Sequence, residues 1–249
     1  MFIAATERHL FYASGKIGTQ TLVSIPGITK LHPVGGTIMP KLRKRTLSSA
    51  VKYLGQHPYT KLTVIVREPN ERFRRGLFEI VAKQSNDFWI THFINQQRST
   101  EFVETFIKTF ECEQFWIDAI QRILALAPYN WEPETEFPSR RWQYHIGNWL
   151  TDAEYLINSF GATVVDIKNL SSYLTAEGYS YTIDNTYKSF LSELLNPSPK
   201  PYCDIAVPHD SILAAFESAY TQLPVTQTQK IQAYLQAEIE TYNRISKYF

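Results

Sequence analysis

The sequence predicts an α/β fold in which helices flank a small parallel sheet and the C-terminal half of the chain is rich in helix. In the first half, short β-branched or aromatic runs alternate with segments of helical periodicity, which is typical of a parallel sheet with crossover helices. From residue 101 onward, apolar residues at helical spacing dominate. A chain of 249 residues is long enough to bury a substantial core, and we expect one domain over residues 1–249.

The strands are predicted from composition. HLFYA at 9–13 is an apolar and aromatic run followed at once by SGKIGTQT, so we expect a strand, a glycine-containing loop and a helix start in that order. ITKLH at 28–32 is a weaker strand candidate. KLTVIV at 61–66 is β-branched and nearly continuous, typical of a strand buried on both faces of a parallel sheet. GATVVDI at 161–167 is predicted as a later, short strand.

The helices are predicted from caps and apolar spacing. TLSSAVKYLG at 46–55 begins on threonine and ends on glycine. Pro69 suits the first turn of the next helix, whose apolar face comprises Phe73, Leu77, Ile80 and Val81. Residues 101–126 carry a long apolar stripe that is interrupted near Cys112. Further helices are predicted near 152–160, 168–175, 185–195, 210–222 and 227–247, and loops at 33–45, 127–148 and 196–210.

The net charge of +1 hides an asymmetry between the two parts of the chain. Residues 1–100 carry 15 Lys and Arg against 5 Asp and Glu, a net charge of +10, and the remaining residues carry 10 against 19, a net charge of −9. We therefore expect an anionic ligand on the first part. Charge alone is compatible with nucleic acid, a nucleotide, a sulfated or carboxylated glycan, or an acidic partner.

The composition argues against a membrane or secreted protein. No apolar run approaches the ~20 residues that cross a bilayer, and the N-terminus lacks the pattern of a signal peptide. Two cysteines, Cys112 and Cys203, provide neither a disulfide framework nor a metal-ligand spacing. We expect a cytoplasmic protein without a membrane partner.

The segment after the first predicted strand has the features of an anion site. Backbone N–H groups and the positive end of a helix dipole would face the loop, Lys16 adds a charge, and Thr19 and Thr21 add hydroxyl donors. The loop is not a Walker A sequence, because Leu10 stands where that motif has its first glycine and Ile17 where it has the magnesium-binding Ser or Thr. This pattern favours a phosphate site that works without a metal. The alternative is a surface turn.

A second basic cluster follows KLTVIV. Arg67 comes at the carboxyl end of that strand, where α/β proteins bind ligands. Three more arginines lie on the following helix, namely Arg72, Arg74 and Arg75. Arg67 with one of them would bind a second phosphate. The alternative is a solvated helix face with the i,i+4 ion pairs Glu68–Arg72 and Glu71–Arg75.

Together these two segments resemble a known family. KIGTQTL (16–22) and VREPNERFRRGLF (66–78) are similar to the two nucleotide-binding signatures of sulfotransferases that use 3′-phosphoadenosine 5′-phosphosulfate (PAPS), in the same order. In that family a Lys-x-Gly-Thr-x-Ser/Thr loop binds the 5′-phosphosulfate, and an Arg-Asp-Pro-x-x-Arg-Phe-x-Ser segment binds the 3′-phosphate. Weaker similarities to the carbohydrate sulfotransferases are HFINQ (92–96), VVDIKNLSSYL (164–174) and AEIETYNRISKYF (237–249).

The resemblance implies a sulfotransferase-like domain with a P-loop-like nucleotide-binding core. It implies PAPS as co-substrate, no metal, and a carbohydrate or small-molecule acceptor that receives the sulfuryl group on a hydroxyl or an amine. Lys16 would also stabilise the leaving oxygen. Glu68 and Arg75 depart from the family pattern, which has aspartate and serine there. The residues implied to bind PAPS are Lys16, Ile17, Gly18, Thr19, Gln20, Thr21, Arg67 and Arg75.

The acceptor hydroxyl needs a general base. His32 is the first candidate, because it ends the second predicted strand and lies between the two signatures. His92, within HFINQ, is the second, and we interpret His9 and His57 as bystanders. The basic run KLRKR at 41–45 either attracts an anionic acceptor or the donor, or is a solvated surface.

Two other functions are compatible with the residues. The first is a metal-dependent nucleotide kinase with a degenerate loop, against which we count the lack of Ser or Thr after Lys16 and of an acidic end to the strand at 61–66. The second is a non-catalytic module whose basic half binds a nucleotide, nucleic acid or an acidic protein. As a sulfotransferase, the chain is expected to have no nucleic-acid partner.

Overall fold

The computed structural model describes residues 2–13, 19–30, 39–58, 60–93, 100–126, 150–183 and 208–249. Most of these residues are helical, and five strands form one sheet in this part of the chain. The predicted α/β class with a small parallel sheet is confirmed at this level. Contacts divide the chain into two compact units, Met1–Gly76 with Asn130–Asp184 and Gln232–Phe249, and Leu77–Tyr129 with Asn185–Ile231. The single sulfotransferase-like domain stays a prediction.

The sheet belongs to the first unit. Strand β1 (Phe2–Ala5) pairs antiparallel with β2 (His9–Ala13) and with β3 (Thr29–Lys30), whereas β2, β4 (Lys61–Val66) and β5 (Thr163–Asp166) are parallel. The strand order is β3, β1, β2, β4, β5. The strand candidate at 28–32 is present as the shorter β3. Strand β1 and its antiparallel pairing were not predicted from the sequence, because this short segment lacks turn residues and becomes a strand by pairing with β2.

Helices cover both faces of the parallel strands. On one face, α2 (Met39–Gln56), α6 (Leu150–Phe160) and the C-terminal part of α9 (Val225–Ile245) pack on alternate residues of β2, β4 and β5. On the other face lie α1 (Thr19–Val23) and α7 (Leu170–Ala176). Burial on both faces explains why the central strands are almost continuously apolar.

The predicted start of α2 at Thr46 is wrong, since this helix begins at Met39. The run KLRKR (41–45) therefore lies in a helix, and the predicted loop at 33–45 is wrong from residue 39 onward. Lysine, arginine and leucine are good helix formers, so the helix continues towards the N-terminus through this run.

Most other helix predictions are confirmed. Helix α3 (Pro69–Phe93) begins at the predicted proline, and the stripe at 101–126 divides into α4 (Thr100–Phe110) and α5 (Glu113–Leu126) at Cys112. Residues 167–169 form a 3₁₀ turn before α7, and α8 (His209–Thr221) and α9 lie where helices are predicted. The predicted helix at 185–195, the loop at 127–148 and most of the loop at 196–210 lie outside the described residues.

The second unit is helical, with an aromatic core. It contains α3 from Leu77 onward, α4, α5, α8 and the start of α9. Trp116 is fully buried, stacks on Phe78 with 5.1 Å between ring centroids, and contacts Phe216 edge-on. Its indole Nε1 donates a hydrogen bond to the Phe110 carbonyl at 2.6 Å. This bond satisfies the polar atom of a buried indole.

A buried ion pair joins α3 to α9 within the first unit. The side chains of Arg72 and Glu238 are each 1% exposed. The guanidinium donates from Nε to Oε1 at 3.1 Å and from Nη2 to Oε2 at 2.5 Å, a bidentate geometry. Burial raises the pKa of Glu238, and the charge of Arg72 opposes that rise. The interpretation of Arg72 as part of a solvated helix face is therefore wrong.

A polar cluster surrounds His9 at the amino end of β2. The ring is 2% exposed, its Nε2 lies 2.6 Å from Thr63 Oγ1, and its Nδ1 lies 3.2 Å from the Tyr179 hydroxyl oxygen. Burial lowers the pKa of His9 to about 4, while the charge of Glu177 opposes this shift and that of Lys61 adds to it. His9 is thus neutral at pH 7 and links β2 to β4, which agrees with its interpretation as a bystander.

Replacing Glu238 with glutamine should lower the free energy of unfolding by about 3 to 5 kcal/mol, because the Arg72 charge would stay buried without its counter-ion. The double change Arg72→Met with Glu238→Leu should recover much of this loss, since an apolar pair avoids burying charge. Urea unfolding measures both. Glu154→Gln is the matched control, because it breaks a bidentate pair with exposed Arg244. Equal losses from Glu238→Gln and Glu154→Gln would contradict a special role for the buried pair.

The stability of the protein should fall as the pH drops from about 6.5 to 4. The folded pKa of His9 lies below its ordinary value, so the unfolded chain takes up the proton first and unfolding is favoured by up to about 3 kcal/mol. Urea midpoints across this range test it. His9→Gln should flatten the profile relative to the unmodified chain, and the same change at exposed His57 should not. Parallel profiles for the unmodified chain and His9→Gln would refute the assignment.

Candidate functional site

The two predicted phosphate-binding segments follow adjacent parallel strands. Ala13, the last residue of β2, pairs with Ile65 of β4, and Val66 pairs with Asp166 of β5. The segments that follow Ala13, Val66 and Asp166 therefore start from the same carboxyl edge of the sheet. This is the edge at which α/β proteins bind ligands. Arg67 is the first residue after β4 at this edge.

The structure describes part of the first predicted segment. Lys16, Ile17 and Gly18 lie outside the described residues, and Thr19 and Gln20 open α1. Thr21 is buried, and its carbonyl accepts a hydrogen bond from the Ser24 hydroxyl at 2.7 Å. Helix α1 has only five residues, so the helix-dipole contribution expected from the sequence is small.

Glu68 caps the start of α3. Its Oε1 accepts from the backbone N–H of Asn70 at 3.0 Å, and its Oε2 accepts from that of Glu71 at 2.7 Å. The N–H of Arg72 donates to the Glu68 carbonyl at 2.9 Å, and Pro69 has no N–H. The first N–H groups of α3 are therefore already hydrogen-bonded. At this strand end, an anion would be bound by side chains rather than by the helix terminus.

The arginines of α3 divide into different roles. Arg67, just before the helix, is half-buried, and its Nε atom is buried. Arg75 donates from Nε to Glu71 Oε1 at 3.2 Å, with the two side chains 36% and 21% exposed. This is the i,i+4 pair that the alternative interpretation predicts, and it is confirmed. Binding of a phosphate by Arg67 or Arg75 stays a prediction.

A hydrogen-bonded pair at the same edge, Asp166 with Tyr242, was not predicted from the sequence. Asp166 is 5% exposed, its Oδ2 accepts from the Tyr242 hydroxyl at 2.6 Å, and its Oδ1 accepts from the backbone N–H of Lys168 at 2.8 Å. Burial and the hydrogen bond to Asp166 raise the pKa of Tyr242 well above its ordinary value. The bond joins VVDIKNLSSYL to AEIETYNRISKYF, two segments that the resemblance singled out separately.

Strand β5 ends in a carboxylate, Asp166, whereas β4 ends in Val66 and is followed by Arg67, as expected for the strand at 61–66. Both oxygens of Asp166 are engaged, by Tyr242 and by Lys168. An aspartate that accepts from the N–H two residues further on is typical of a cap on a short helical turn. The observed role of Asp166 is therefore structural.

Neither candidate general base belongs to the described part of the first unit. His32 lies outside the described residues, and His92 lies in the last turn of α3, within the second unit. The assignment of either histidine as the base stays a prediction. Exposed His57 stacks on Tyr53 at 4.2 Å between ring centroids and contacts the Tyr53 carbonyl through Nδ1.

Within the described ranges, no three His, Cys, Asp or Glu side chains lie together in a way that would hold a metal ion. None of the helices in those ranges combines the length and the apolar composition that a membrane span requires. Cys112 is exposed and has a free thiol, and Cys203 lies outside the described part of the chain.

No family model, curated protein or solved structure matches this chain.

Proposed function

We propose that this chain is a sulfotransferase that moves a sulfuryl group from PAPS to a hydroxyl, or an amine, of a carbohydrate or small-molecule acceptor. The observation that carries the proposal is that the two basic segments follow the adjacent parallel strands β2 and β4. PAPS carries phosphate groups at two ends of a nucleoside. The segment that contains Lys16 would bind the 5′-phosphosulfate, and Arg67 would bind the 3′-phosphate.

The charge distribution supports a polyanionic ligand. Both segments belong to residues 1–100, whose net charge is +10. A positive field of this kind raises the local concentration of a nucleotide and speeds its association. The charge alone does not distinguish PAPS from other nucleotides. The proposal of PAPS rests on the resemblance of the two basic segments to the nucleotide-binding signatures of sulfotransferases.

The local structure around Arg67 supports a rigid site. The Glu68 carboxylate accepts hydrogen bonds from backbone N–H groups in the first turn of α3. The buried Arg72–Glu238 ion pair connects the next turn of α3 to α9. Asn70 Oδ1 also accepts a hydrogen bond from Gln232 Nε2 at 2.9 Å. Binding groups that are already held in place lose less entropy when the ligand binds. The backbone that carries Arg67 is therefore pre-organised.

The proposed reaction is an in-line displacement at sulfur. The acceptor oxygen forms a bond to sulfur, the bond from sulfur to the bridging oxygen breaks, and adenosine 3′,5′-bisphosphate leaves. Lys16 stabilises the charge that develops on the bridging oxygen. A general base, with His32 as first candidate and His92 as second, takes the acceptor proton. The sulfuryl group carries less charge than a phosphoryl group, so fixed cations and backbone donors serve without a metal.

A nucleotide kinase is the second candidate, and Asp166 at the end of β5 is the observation that favours it. Such a carboxylate at a strand end can bind magnesium in a kinase. In this chain, however, Asp166 is engaged by Tyr242 and Lys168, and Ile17 replaces the hydroxyl residue that a Walker A loop uses for the metal. These two features favour the sulfotransferase.

Adenosine 3′,5′-bisphosphate should raise the melting temperature of the protein more than ATP with magnesium or a short oligonucleotide does, because a ligand that binds only the folded state stabilises it. Differential scanning fluorimetry measures the shift. Stabilisation by ATP with magnesium alone would favour the kinase, and stabilisation by the oligonucleotide alone would favour a nucleic-acid-binding module. Either result overturns the proposal.

Lys16→Ala and Arg67→Ala should each weaken binding of the bisphosphate by roughly ten- to hundredfold, since each removes a charged hydrogen bond to a phosphate. Isothermal titration calorimetry measures the change. Arg122→Ala is the matched control, because it removes an exposed arginine of α5 and should leave the affinity as it is. Unchanged affinity in both Lys16→Ala and Arg67→Ala would remove the proposed phosphate contacts.

His32→Ala should lower turnover by about a hundredfold or more while leaving nucleotide binding intact, as expected for loss of a general base. Release of the bisphosphate from PAPS is followed with a panel of sugar and small-molecule hydroxyl acceptors. His57→Ala is the control and should turn over normally. Loss of nucleotide binding in His32→Ala would assign this histidine a structural role, and inactivity of His92→Ala alone would make His92 the base.

A further inference from the structure

We infer that Tyr242 is a positioning residue for the 3′-phosphate end of the nucleotide site and that it acts through Asp166. The inference rests on the proposed function, because it concerns the phosphate that Arg67 would bind. It assigns a role to α9, which the two nucleotide-binding signatures do not include.

Three acidic residues neighbour Arg67 in the chain or across the strand pair. Glu68 is the next residue, Glu71 lies one turn further in α3, and Asp166 pairs with Val66 from the adjacent strand. The charges of Asp166, Glu68 and Glu71 all act on the Tyr242 hydroxyl. A phosphate bound by Arg67 would lie next to the strand pair that carries Asp166, whose Oδ2 accepts from the Tyr242 hydroxyl. Like charges at close range oppose binding unless each carboxylate is held by its own donors.

Each of these carboxylates has a donor. Glu68 accepts from the start of α3, and Glu71 pairs with Arg75. Asp166 accepts from Lys168 N–H through one oxygen and from Tyr242 through the other. The donor to Oδ2 comes from α9, an element far from the nucleotide-binding signatures in sequence. Tyr242 therefore contributes the hydrogen bond to the second oxygen of the Asp166 carboxylate.

Contacts on both sides keep the Tyr242 hydroxyl in place. One turn earlier in α9, Glu238 forms the buried pair with Arg72. Two residues later, Arg244 pairs with Glu154 of α6 through Nε and Nη2. The ring of Phe249 packs edge-on against the Tyr242 ring, with 5.4 Å between centroids. These contacts fix the part of α9 that carries Tyr242 and so position its hydroxyl against Asp166.

Removal of the hydroxyl changes the field at the strand end. The Oδ2 atom of Asp166 would lose the hydrogen bond from Tyr242 and remain nearly buried. An unsatisfied buried acceptor is costly, so a hydrogen bond from another donor to Oδ2 becomes favourable. Asp166 ends β5, and Arg67 follows Val66, the residue of β4 that pairs with Asp166. Backbones of adjacent strands lie about 4.8 Å apart. In the absence of the Tyr242 hydroxyl, Asp166 competes with the 3′-phosphate for the Arg67 cation and repels the phosphate.

Tyr242→Phe tests the inference when two ligands are compared by isothermal titration calorimetry. Adenosine 3′,5′-bisphosphate and adenosine 5′-monophosphate differ only in the 3′-phosphate, so the ratio of their affinities reports on that group. Tyr242→Phe should lower the ratio about tenfold, the equivalent of about 1.4 kcal/mol, with little change for the monophosphate. A general structural defect would weaken both ligands alike.

Tyr12→Phe is the matched control. The Tyr12 hydroxyl donates to buried Asp152 Oδ2 at 3.1 Å, so this change removes the same kind of hydrogen bond in the same unit. Tyr12 lies within β2, away from the end of β5. The affinity ratio should stay at the value of the unmodified protein.

Asp166→Asn supplies a rescue. The side-chain oxygen of asparagine can still accept from the Lys168 N–H, but the negative charge is gone. The double variant Tyr242→Phe with Asp166→Asn should therefore return to the affinity ratio of the unmodified protein. If Tyr242→Phe alone does not fold, the comparison moves to the Asp166→Asn background, where adding Tyr242→Phe should leave the ratio unchanged.

The outcomes separate this inference from the proposed function. If the unmodified protein does not bind the bisphosphate, the proposed function is wrong and the inference falls with it. If the unmodified protein binds but Tyr242→Phe keeps the ratio, the proposed function stands and the inference is overturned. Equal weakening of both ligands by Tyr242→Phe, a further drop in the Asp166→Asn background, or an equal drop in Tyr12→Phe also overturns it.

Discussion

The parallel pairing of β2 with β4 is the constraint on which the arrangement of the candidate site depends. Two parallel strands need a crossover between them, and here the crossover carries α1, β3 and α2. Both strands also need cover on both faces, which helices provide. A consequence of the parallel direction is that their following segments start from one edge. Antiparallel pairing would have separated the segment that follows β2 from Arg67 by the length of a strand.

Helix α9 contributes to this edge through polar contacts with distant parts of the chain. Within the first unit it reaches α3 through Glu238 and β5 through Tyr242, and both contacts lie next to the segment of Arg67. A buried ion pair is weak evidence for net stability, because desolvation offsets much of the attraction. The bidentate hydrogen bonds of this pair nevertheless require one defined arrangement of the two side chains. Both carboxylate oxygens of Glu238 accept from Arg72, and both side chains are buried, so the pair links α9 to α3 at a defined point of each helix.

Local rules predicted the elements well and the polar partners poorly. The β-branched run of β4, Pro69 at the start of α3 and the break at Cys112 all follow from short-range preferences, and the structure has them. The i,i+4 rule correctly paired Arg75 with Glu71 and wrongly placed Arg72 on a solvated face. Helical spacing cannot distinguish these two arginines, because the buried partner of Arg72 lies 166 residues away.

The sequence by itself determined the α/β class, the strands β2, β4 and β5, and the order of two basic segments, because these depend on residue type and spacing. Only the tertiary structure decided that β1 and β3 extend the sheet, that Arg72 is buried, and that Tyr242 holds Asp166 at the carboxyl edge. These features depend on which distant surfaces meet. Burial then determines the protonation and the hydrogen-bond partners of each polar group. These cannot be predicted from the local sequence pattern.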